Sequence, residues 1–271
     1  MILSNNKYKT TIAIGDPHAE PLHSNERFEA LGNLIAATQP DHLVQLGDFH
    51  TLDSISSHNT KKPLLREGGR LIDDLEAGLD AYTKMMAPIN AYNKTLTKHK
   101  KKKYSPEKHW LYGNHEDRVY RYIQEAPELL GLVNLSATLD LEKDQWNIHG
   151  YREYAYVNAA GRTTGFTHIP MNKRINQPIG GEYVARRAAD THAFDVVFGH
   201  THRLGVHGAT VVGAETNYGI NAGWFGDFIP DYVRGNEGNV DWWAGIVHLT
   251  HTDAGLIIQP IPMDVIKKEY L

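Results

Sequence analysis

The 271-residue sequence contains no cysteine, so neither a disulfide nor a thiolate-bound metal can hold it together. It also lacks any uninterrupted apolar run long enough to cross a bilayer, which excludes a membrane-spanning helix within it. Residues 1–7 show no apolar core of a signal peptide. These absences set the expectation of a cytoplasmic protein without a membrane partner. Excess basic charge is missing too. The formal charge is −4, from 28 Lys and Arg against 32 Asp and Glu, so any contact with nucleic acid must rest on local patches. With no low-complexity linker and no internal repeat, the expected organisation is a single domain over residues 1–271, with a helical excursion over about residues 60–103.

Histidine is what the sequence has in abundance, with 16 residues, and their placement along the chain matters more than the number. Residues 9–15 read Lys-Thr-Thr-Ile-Ala-Ile-Gly, a β-prone run that stops at Asp16-Pro17-His18. A helix follows, with Ser24 as N-cap and Phe28, Leu31, Leu34 and Ile35 at helical spacing, closed by Pro40. A second strand, His42-Leu43-Val44-Gln45-Leu46, ends in Gly47-Asp48. Strand, helix and strand in this order set the two Asp-bearing ends side by side. Residues 51–69, with Pro63 and Gly68-Gly69, read as an irregular excursion. Leu71, Leu75, Leu79, Tyr82, Met86, Ile89 and Leu96 then outline a long amphipathic helix with a kink at Pro88, its apolar stripe expected to pack on the sheet rather than on a second copy. The basic run over residues 98–103 reads either as a solvated helix end or as a phosphate-contacting patch.

A third strand, His109-Trp110-Leu111-Tyr112, leads into Gly113-Asn114-His115-Glu116 and a helix carrying Val119, Tyr122 and Ile123, stopped by Pro127. Residues 128–150 show no clear pattern. Residues 151–157 and 163–167 are expected to form an antiparallel hairpin whose second strand ends at His168. After Gly180-Gly181 comes a helix with Tyr183, Val184, Ala188 and Ala189, and then the apolar strand Asp195-Val196-Val197-Phe198, which ends in Gly199-His200-Thr201-His202. Beyond it lie β-like runs at 206–212, 216–220, 243–249 and 256–261, with no helix among them. Alternating β and α elements followed by a β-rich end predict an α/β fold: two sheets face to face with helices outside, a four-layer α/β/β/α sandwich.

Five strand ends therefore carry Asp16 and His18, Asp48, Asn114 and His115, His168, and His200 and His202. In open α/β sheets the functional crevice lies outside the carboxyl ends of the strands, where these residues would gather. Two carboxylates, one amide oxygen and four imidazoles, with His115 left over, are too many for one tetrahedral ion and suit two ions sharing a carboxylate. Oxygen and imidazole ligands without thiolate fit manganese, iron, zinc or nickel.

The blocks Asp16-x-His18, Gly47-Asp48, Gly113-Asn114-His115-Glu116, His168 and Gly199-His200-x-His202, in this order, resemble the calcineurin-like metallophosphoesterases, and within them the short members of phosphodiesterase or nuclease type. The resemblance implies the four-layer fold and two-metal hydrolysis of phosphate esters by a bridging hydroxide. It assigns Asp16, His18 and His202 to a first divalent ion and Asn114, His168 and His200 to a second. Asp48 would bridge them, and His115 would be a non-ligand acid or transition-state stabiliser. Manganese is the expected metal, with iron, zinc or nickel as alternatives. The fourth block departs from the family pattern, since Thr167-His168-Ile169-Pro170 lacks the glycine often found beside this histidine. His149, followed by Gly150, competes for the role, but His168 ends the second hairpin strand and is preferred. Phe49-His50-Thr51-Leu52 stands where the family's protein phosphatases carry Asp-Arg-Gly, which counts against a protein phosphatase.

Arg118, in the first turn of its helix, and His50, two residues after Asp48, are candidates for contact with a substrate phosphate. The aromatic clusters Trp224-Phe225-Gly226-Asp227-Phe228 and Trp242-Trp243 read as core or as a surface on which a nucleobase stacks. The expected activity is that of a phosphodiesterase or nuclease acting on nucleic acid or nucleotides. A phosphomonoesterase is the alternative. A non-catalytic scaffold that binds a partner is the alternative of another class, against which the intact ligand set at every block counts. Nothing in the sequence points to a particular oligomeric state.

Overall fold

The computed structural model describes residues 8–56, 68–172, 174–210, 215–230, 233 and 241–271. Pro63, the start of the expected helical excursion and the end of the run at 206–212 lie outside the described residues. The first half of the chain runs β1 (Lys9–Ile14), α1 (Glu26–Thr38), β2 (His42–Gln45), α2 (Leu71–Lys98), β3 (Glu107–Leu111), α3 (Glu116–Glu125), α4 (Leu135–Thr138) and β4 (Asn147–His149). Next come β5 (Ala155–Ala159), β6 (Arg162–Thr167), the short pair β7 (Met171–Asn172) and β8 (Gln177–Pro178), α5 (Val184–Thr191) and β9 (Asp195–Phe198). The chain closes with β10 (Leu204–Thr210), β11 (Thr216–Ala222), β12 (Gly245–Thr252), β13 (Gly255–Pro262) and α6 (Met263–Tyr270).

Two mixed sheets result. One has the order β13-β12-β1-β2-β3-β4 and the other β10-β11-β9-β6-β5. Strands β1 to β4 run parallel to one another, as do β6, β9 and β11, so their carboxyl ends fall along one edge of each sheet.

Period-two alternation sorts side chains to opposite faces of each strand. Ile12 and Ile14 of β1 join Leu43 and Trp110 in packing on Phe28 and Leu31 of α1, Tyr82 and Met85 of α2 and Ile266 of α6. The intervening Ala13, with Val44, Leu111 and Val247, meets Val157, Phe166, Val197 and Ile220 of the other sheet. On the far side Val196 and Phe198 pack on Val184, Ala185 and Ala188 of α5. Three apolar beds of this kind correspond to the expected order of helix, sheet, sheet and helix.

α2 crosses α1 where Gly32 faces the Met85 carbonyl and the Pro88 ring, and a Cβ at Gly32 would lie 3.0 Å from Pro88 Cδ. Pro88 sits inside a helix that runs on either side of it, without an N–H to donate to the preceding turn. The buried face of α2 is made by Ala77, Gly78, Ala81, Tyr82, Met85, Met86 and Ile89, so the stripe packs on the body of the protein. Leu79, expected on that stripe, is 43% exposed, because the close approach of α1 selects the small residues beside it.

The hairpin begins at Ala155 rather than at residue 151, and Ala160-Gly161 makes its turn. The patternless stretch 128–150 holds α4 and β4, elements too short to show a period. α6 is an addition to the β-rich end. It follows the Pro-rich strand end directly and buries Met263 and Ile266. No described helix is long and apolar enough to cross a membrane.

Candidate metal centre

Each candidate ligand stands one to four residues past the carboxyl end of a parallel strand. Thr167 of β6 is level with Phe198 of β9, so His168 and Gly199 emerge side by side, and Gly199 N donates to His168 O at 3.2 Å. On the other sheet His18 N donates to Asp48 O at 2.9 Å. The two sheets are hooked together at this seam. Asp16 accepts two bonds from His200 N, at 2.8 and 3.0 Å, and His168 Nδ1 donates to Leu46 O at 3.0 Å. Gly199 is required for close approach, since a Cβ there would run into the Asp16 carboxylate. Gly47 has φ +103°, and a Cβ on it would lie 2.7 Å from both Gly113 N and His168 Nδ1.

Asp16, His18, Asp48, His200 and His202 all have positive φ, between 43° and 70°. Side chains other than glycine seldom occupy that region, and such residues cost on the order of 1–3 kcal/mol each unless their surroundings over-determine them. Here the strain turns successive side chains toward one point.

Two groups of ligand atoms flank Asp48, and a third, made by His18, Asp48 and His115, overlaps them. Asp16, His18 and His202 offer ligand atoms close enough to share an ion, and so do Asp48, His168 and His200. In the first, His18 Nε2 and His202 Nε2 are 3.1 Å apart; in the second, His168 Nε2 and His200 Nδ1 are 3.2 Å apart. Asn114 Oδ1 lies 2.9 Å from His168 Nε2 and 2.8 Å from His200 Nδ1. Donors at about 2.0–2.1 Å from one ion stand roughly 3.0–3.4 Å from each other, so these separations match a shared cation. The tautomer of His168 makes the same point. Its Nδ1–H is spent on Leu46 O, so Nε2 presents a lone pair to the Asn114 oxygen, and two acceptors at 2.9 Å repel unless a cation lies between them. His202 Nδ1 is buried and has no hydrogen-bond partner among the described residues.

The electrostatics fit a bound cation as well. Burial, and then the negative charge of Asp48, push the Asp16 carboxyl well above the usual range; burial and then Glu116 do the same to Asp48. Burial holds His18, His168 and His200 below the ordinary imidazole value, and brings His202 down to about 3. Neutral imidazoles are what ligation needs, and a divalent ion would return both carboxyls to the ionised form.

His115 reaches the same space, with its Nε2 3.7 Å from Asp48 Oδ2 and its ring centroid 4.6 Å from that of His18. Both its nitrogens are already engaged. Nδ1 donates to Thr51 O at 2.6 Å and Nε2 accepts from Arg118 Nη2 at 3.0 Å. Burial and then the Arg118 charge lower its pKa well below the ordinary value.

Arg118 is itself buried behind His115. Its Nη1 bonds Thr51 O, Leu52 O and Asp53 Oδ1, so it meets the cluster through the histidine rather than as a free phosphate clamp. His50 is not brought into the cluster. Its ring is 1% exposed and packs beside Gly78 of α2 and Glu116, where no substrate phosphate can reach it. His149 also stays apart, paired with His109 at 3.1 Å on β4 and β3. The basic run 98–103 is exposed but precedes β3, at the edge of the sheet opposite the ligand cluster, so it cannot touch a phosphate held there.

Glu116 is a residue whose part was not read from its motif. Its buried carboxylate accepts the backbone N–H groups of Asp48, His50 and Gly113 at 2.8–3.0 Å, tying the loop after β2 to the loop after β3. Burial alone would raise its pKa, but the contacts with His50 and Gly113 hold it below the usual range. The aromatic cluster adjoins the first pocket. His202 stacks on Trp224 at 5.6 Å and meets Trp242 edge-on at 4.3 Å.

A two-sheet α/β fold with histidine and aspartate pockets at the carboxyl ends of its strands defines a metal-dependent hydrolase. The calcineurin-like phosphoesterase family matches residues 9–204, and the chain belongs to that family, whose members hydrolyse phosphoester bonds at a centre of two divalent metals. A search of curated proteins found no match. Among solved structures, one described as TT1561 of Thermus thermophilus is similar at 9% identity and a TM-score of 0.41, over 93% of this chain and 99% of that one. A second is also 9% identical, with a TM-score of 0.38 and the same coverage.

Proposed function

We propose that this chain is a two-metal phosphodiesterase acting on nucleotides or single-stranded nucleic acid, with Asp16, His18 and His202 around one ion, Asn114, His168 and His200 around the other, and Asp48 between them. The observation that carries this reading is the pair of pockets flanking Asp48, each with two imidazole nitrogens 3.1–3.2 Å apart. When bound, the two cations supply Lewis acidity toward the phosphoryl oxygens and toward water. Oxygen and imidazole donors support manganese as the metal, and the lack of cysteine supports a reducing, cytoplasmic setting.

The chain's own residues do the rest. Asp16 and Asp48 supply negative charge that fixes the cations, and Glu116 holds the backbone under Asp48. His115 and Arg118 act as a pair. With Nδ1–H spent on Thr51 and Nε2 accepting from Arg118, His115 has no proton to hand over in this arrangement, so the charge the pair offers is that of the Arg118 guanidinium, which His115 orients toward the cluster.

Two features favour a diester over a monoester. Arg118 commits Nη1 to Thr51, Leu52 and Asp53, leaving little to clamp the extra charge of a monoester dianion. Trp242, half-buried and edge-on to both His202 and Trp224, supports an aromatic wall beside the first pocket against which a base could lie. The position of the 98–103 run removes it as support for a nucleic-acid track leading to the site. With Mn²⁺ added, bis-para-nitrophenyl phosphate should turn over faster than para-nitrophenyl phosphate. A dominant monoester rate would overturn the diesterase assignment in favour of a phosphomonoesterase, and no turnover of either by metal-loaded protein would favour the scaffold.

A further inference from the structure

The loop Asp16-Pro17-His18 carries two ligand candidates on left-handed backbone, with φ of 43° at Asp16 and 47° at His18. Neither is a glycine, so something outside the loop must hold it in that shape. Arg27, in the first turn of α1, is fully buried and sits against it. Its Nη2 donates to Pro17 O at 2.9 Å and to His18 O at 3.4 Å. Its Nε donates to Phe225 O at 3.0 Å, and Nη1 to Ser24 O at 2.7 Å and Asp227 Oδ1 at 3.4 Å. Phe225 N in turn bonds Gly15 O at 2.6 Å and Asp16 O at 3.3 Å. One planar fork thus ties the loop after β1 to the loop after β11, and every carbonyl from Gly15 to His18 has a partner. Burial lowers the Arg27 pKa to about 10, partly offset by Asp227, so the fork stays charged at neutral pH.

A buried guanidinium is a costly brace for a fold, and its bonds go to backbone carbonyls of a ligand loop rather than to a buried carboxylate alone. We infer that Arg27 is a positioning residue for the first metal pocket, holding Asp16 and His18 in the strained backbone that aims them at His202. The inference rests on the proposed assignment of Asp16, His18 and His202 to one ion. The second pocket draws its ligands from the loops after β2, β3, β6 and β9, to which Arg27 makes no hydrogen bond among the described residues.

Arg27→Lys and Arg27→Met, purified with wild-type protein and checked for native circular dichroism, would be titrated with Mn²⁺ by calorimetry. Crystals grown with limiting Mn²⁺ would give the occupancy of each site from anomalous scattering. Removing an outer partner of metal ligands costs roughly 10–100-fold in metal affinity. Expected is a loss of that size at the first site with Met, a smaller loss with Lys, and a change of less than about 3-fold at the second site. Saturating Mn²⁺ should restore kcat, so the defect appears in the metal requirement and not in turnover. Equal loss at both sites, or no loss at either, would overturn the positioning role.

Should the Arg27 variants fail to fold, Asp227→Asn loosens the Nη1 end of the fork together with the Lys267 ion pair, and Lys267→Met, which removes that pair alone, serves as its control. Asp227→Asn should weaken the first site more than the second, and the reverse would refute the inference. If wild-type protein bound fewer than two ions, the two-metal reading itself would fall, and this inference with it. Two wild-type sites with unselective variants would sink the inference alone.

Discussion

Asp16, His18, Asp48, His200 and His202 stand on left-handed backbone, an unusual place for carboxylates and imidazoles, and that geometry could not be read from their names. The residue types and their order were legible, because each follows a β-prone run closed by glycine or a polar turn. What those residues lean on was hidden, since the Thr51 carbonyl, Arg27 and the Glu116 clamp act through backbone groups that sequence spacing does not show. Three expectations apply at this scale. Replacing Glu116 with Gln keeps the shape but weakens its acceptance of three N–H groups, and should lower Mn²⁺ affinity about 10–100-fold in a chelator competition assay. An unchanged affinity would mean the loops hold themselves. His115→Ala should lower kcat by about 10²–10³-fold while the metal content stays at the wild-type level. The same fold loss is expected for diesters with good and with poor leaving groups, because a charge stabiliser does not need to protonate the leaving oxygen. A loss that shrinks sharply for para-nitrophenolate would show His115 to be the acid instead.

Among the elements, the α1–α2 crossing is set by a glycine. Gly32 lies under the Met85 carbonyl and the Pro88 ring, and Gly78 of α2 leaves room for His50. Gly32→Ala presses a methyl group against the Met85 carbonyl and the Pro88 ring, and overpacking of this kind costs about 1–3 kcal/mol, to be read from the urea midpoint. An unchanged midpoint would show that the helices can part without cost. Four of the five strands that end at ligands were legible because their apolar runs are bounded by Gly-Asp, Gly-Asn and Gly-His pairs, whereas β6, ending in Thr167-His168, was read only from its place as the second hairpin strand. α4 and β4 were not, being three or four residues long and held by tertiary contacts rather than by local pattern. α2 was legible as a helix but not in its buried face, since Leu79 turns outward where Ala77, Gly78 and Ala81 allow close approach.

At the scale of the whole molecule, the pockets described lie at the carboxyl ends of the parallel strands. Beside the amino end of β1, His251 is fully buried, with its Nε2 3.0 Å from Thr11 Oγ1 and His42 6.5 Å away ring to ring. Burial, followed by the charges of His42 and Arg162, lowers its pKa to about 4. Above about pH 6.5 both the folded and the unfolded chain hold this imidazole neutral and it has no effect. As pH falls from 6.5 toward 4 the unfolded chain takes up the proton first, so stability drops with falling pH, by on the order of 2–3 kcal/mol in all. Urea midpoints between pH 7.5 and 4.5 should therefore fall more steeply for wild type than for His251→Gln, and parallel slopes would contradict the assignment.

The two mixed sheets with their helices were legible from the order of elements. The side of the sheet on which the 98–103 run lies followed from chain direction once β3 was placed. Whether the two halves of Gly199-His200-Thr201-His202 serve different ions is decided most directly by the anomalous difference map of crystals grown with Mn²⁺. Two peaks are expected, one bounded by Asp16, His18 and His202, the other by Asn114, His168 and His200, with Asp48 touching both. A single peak, or one peak ligated by both His200 and His202, would contradict the divided centre.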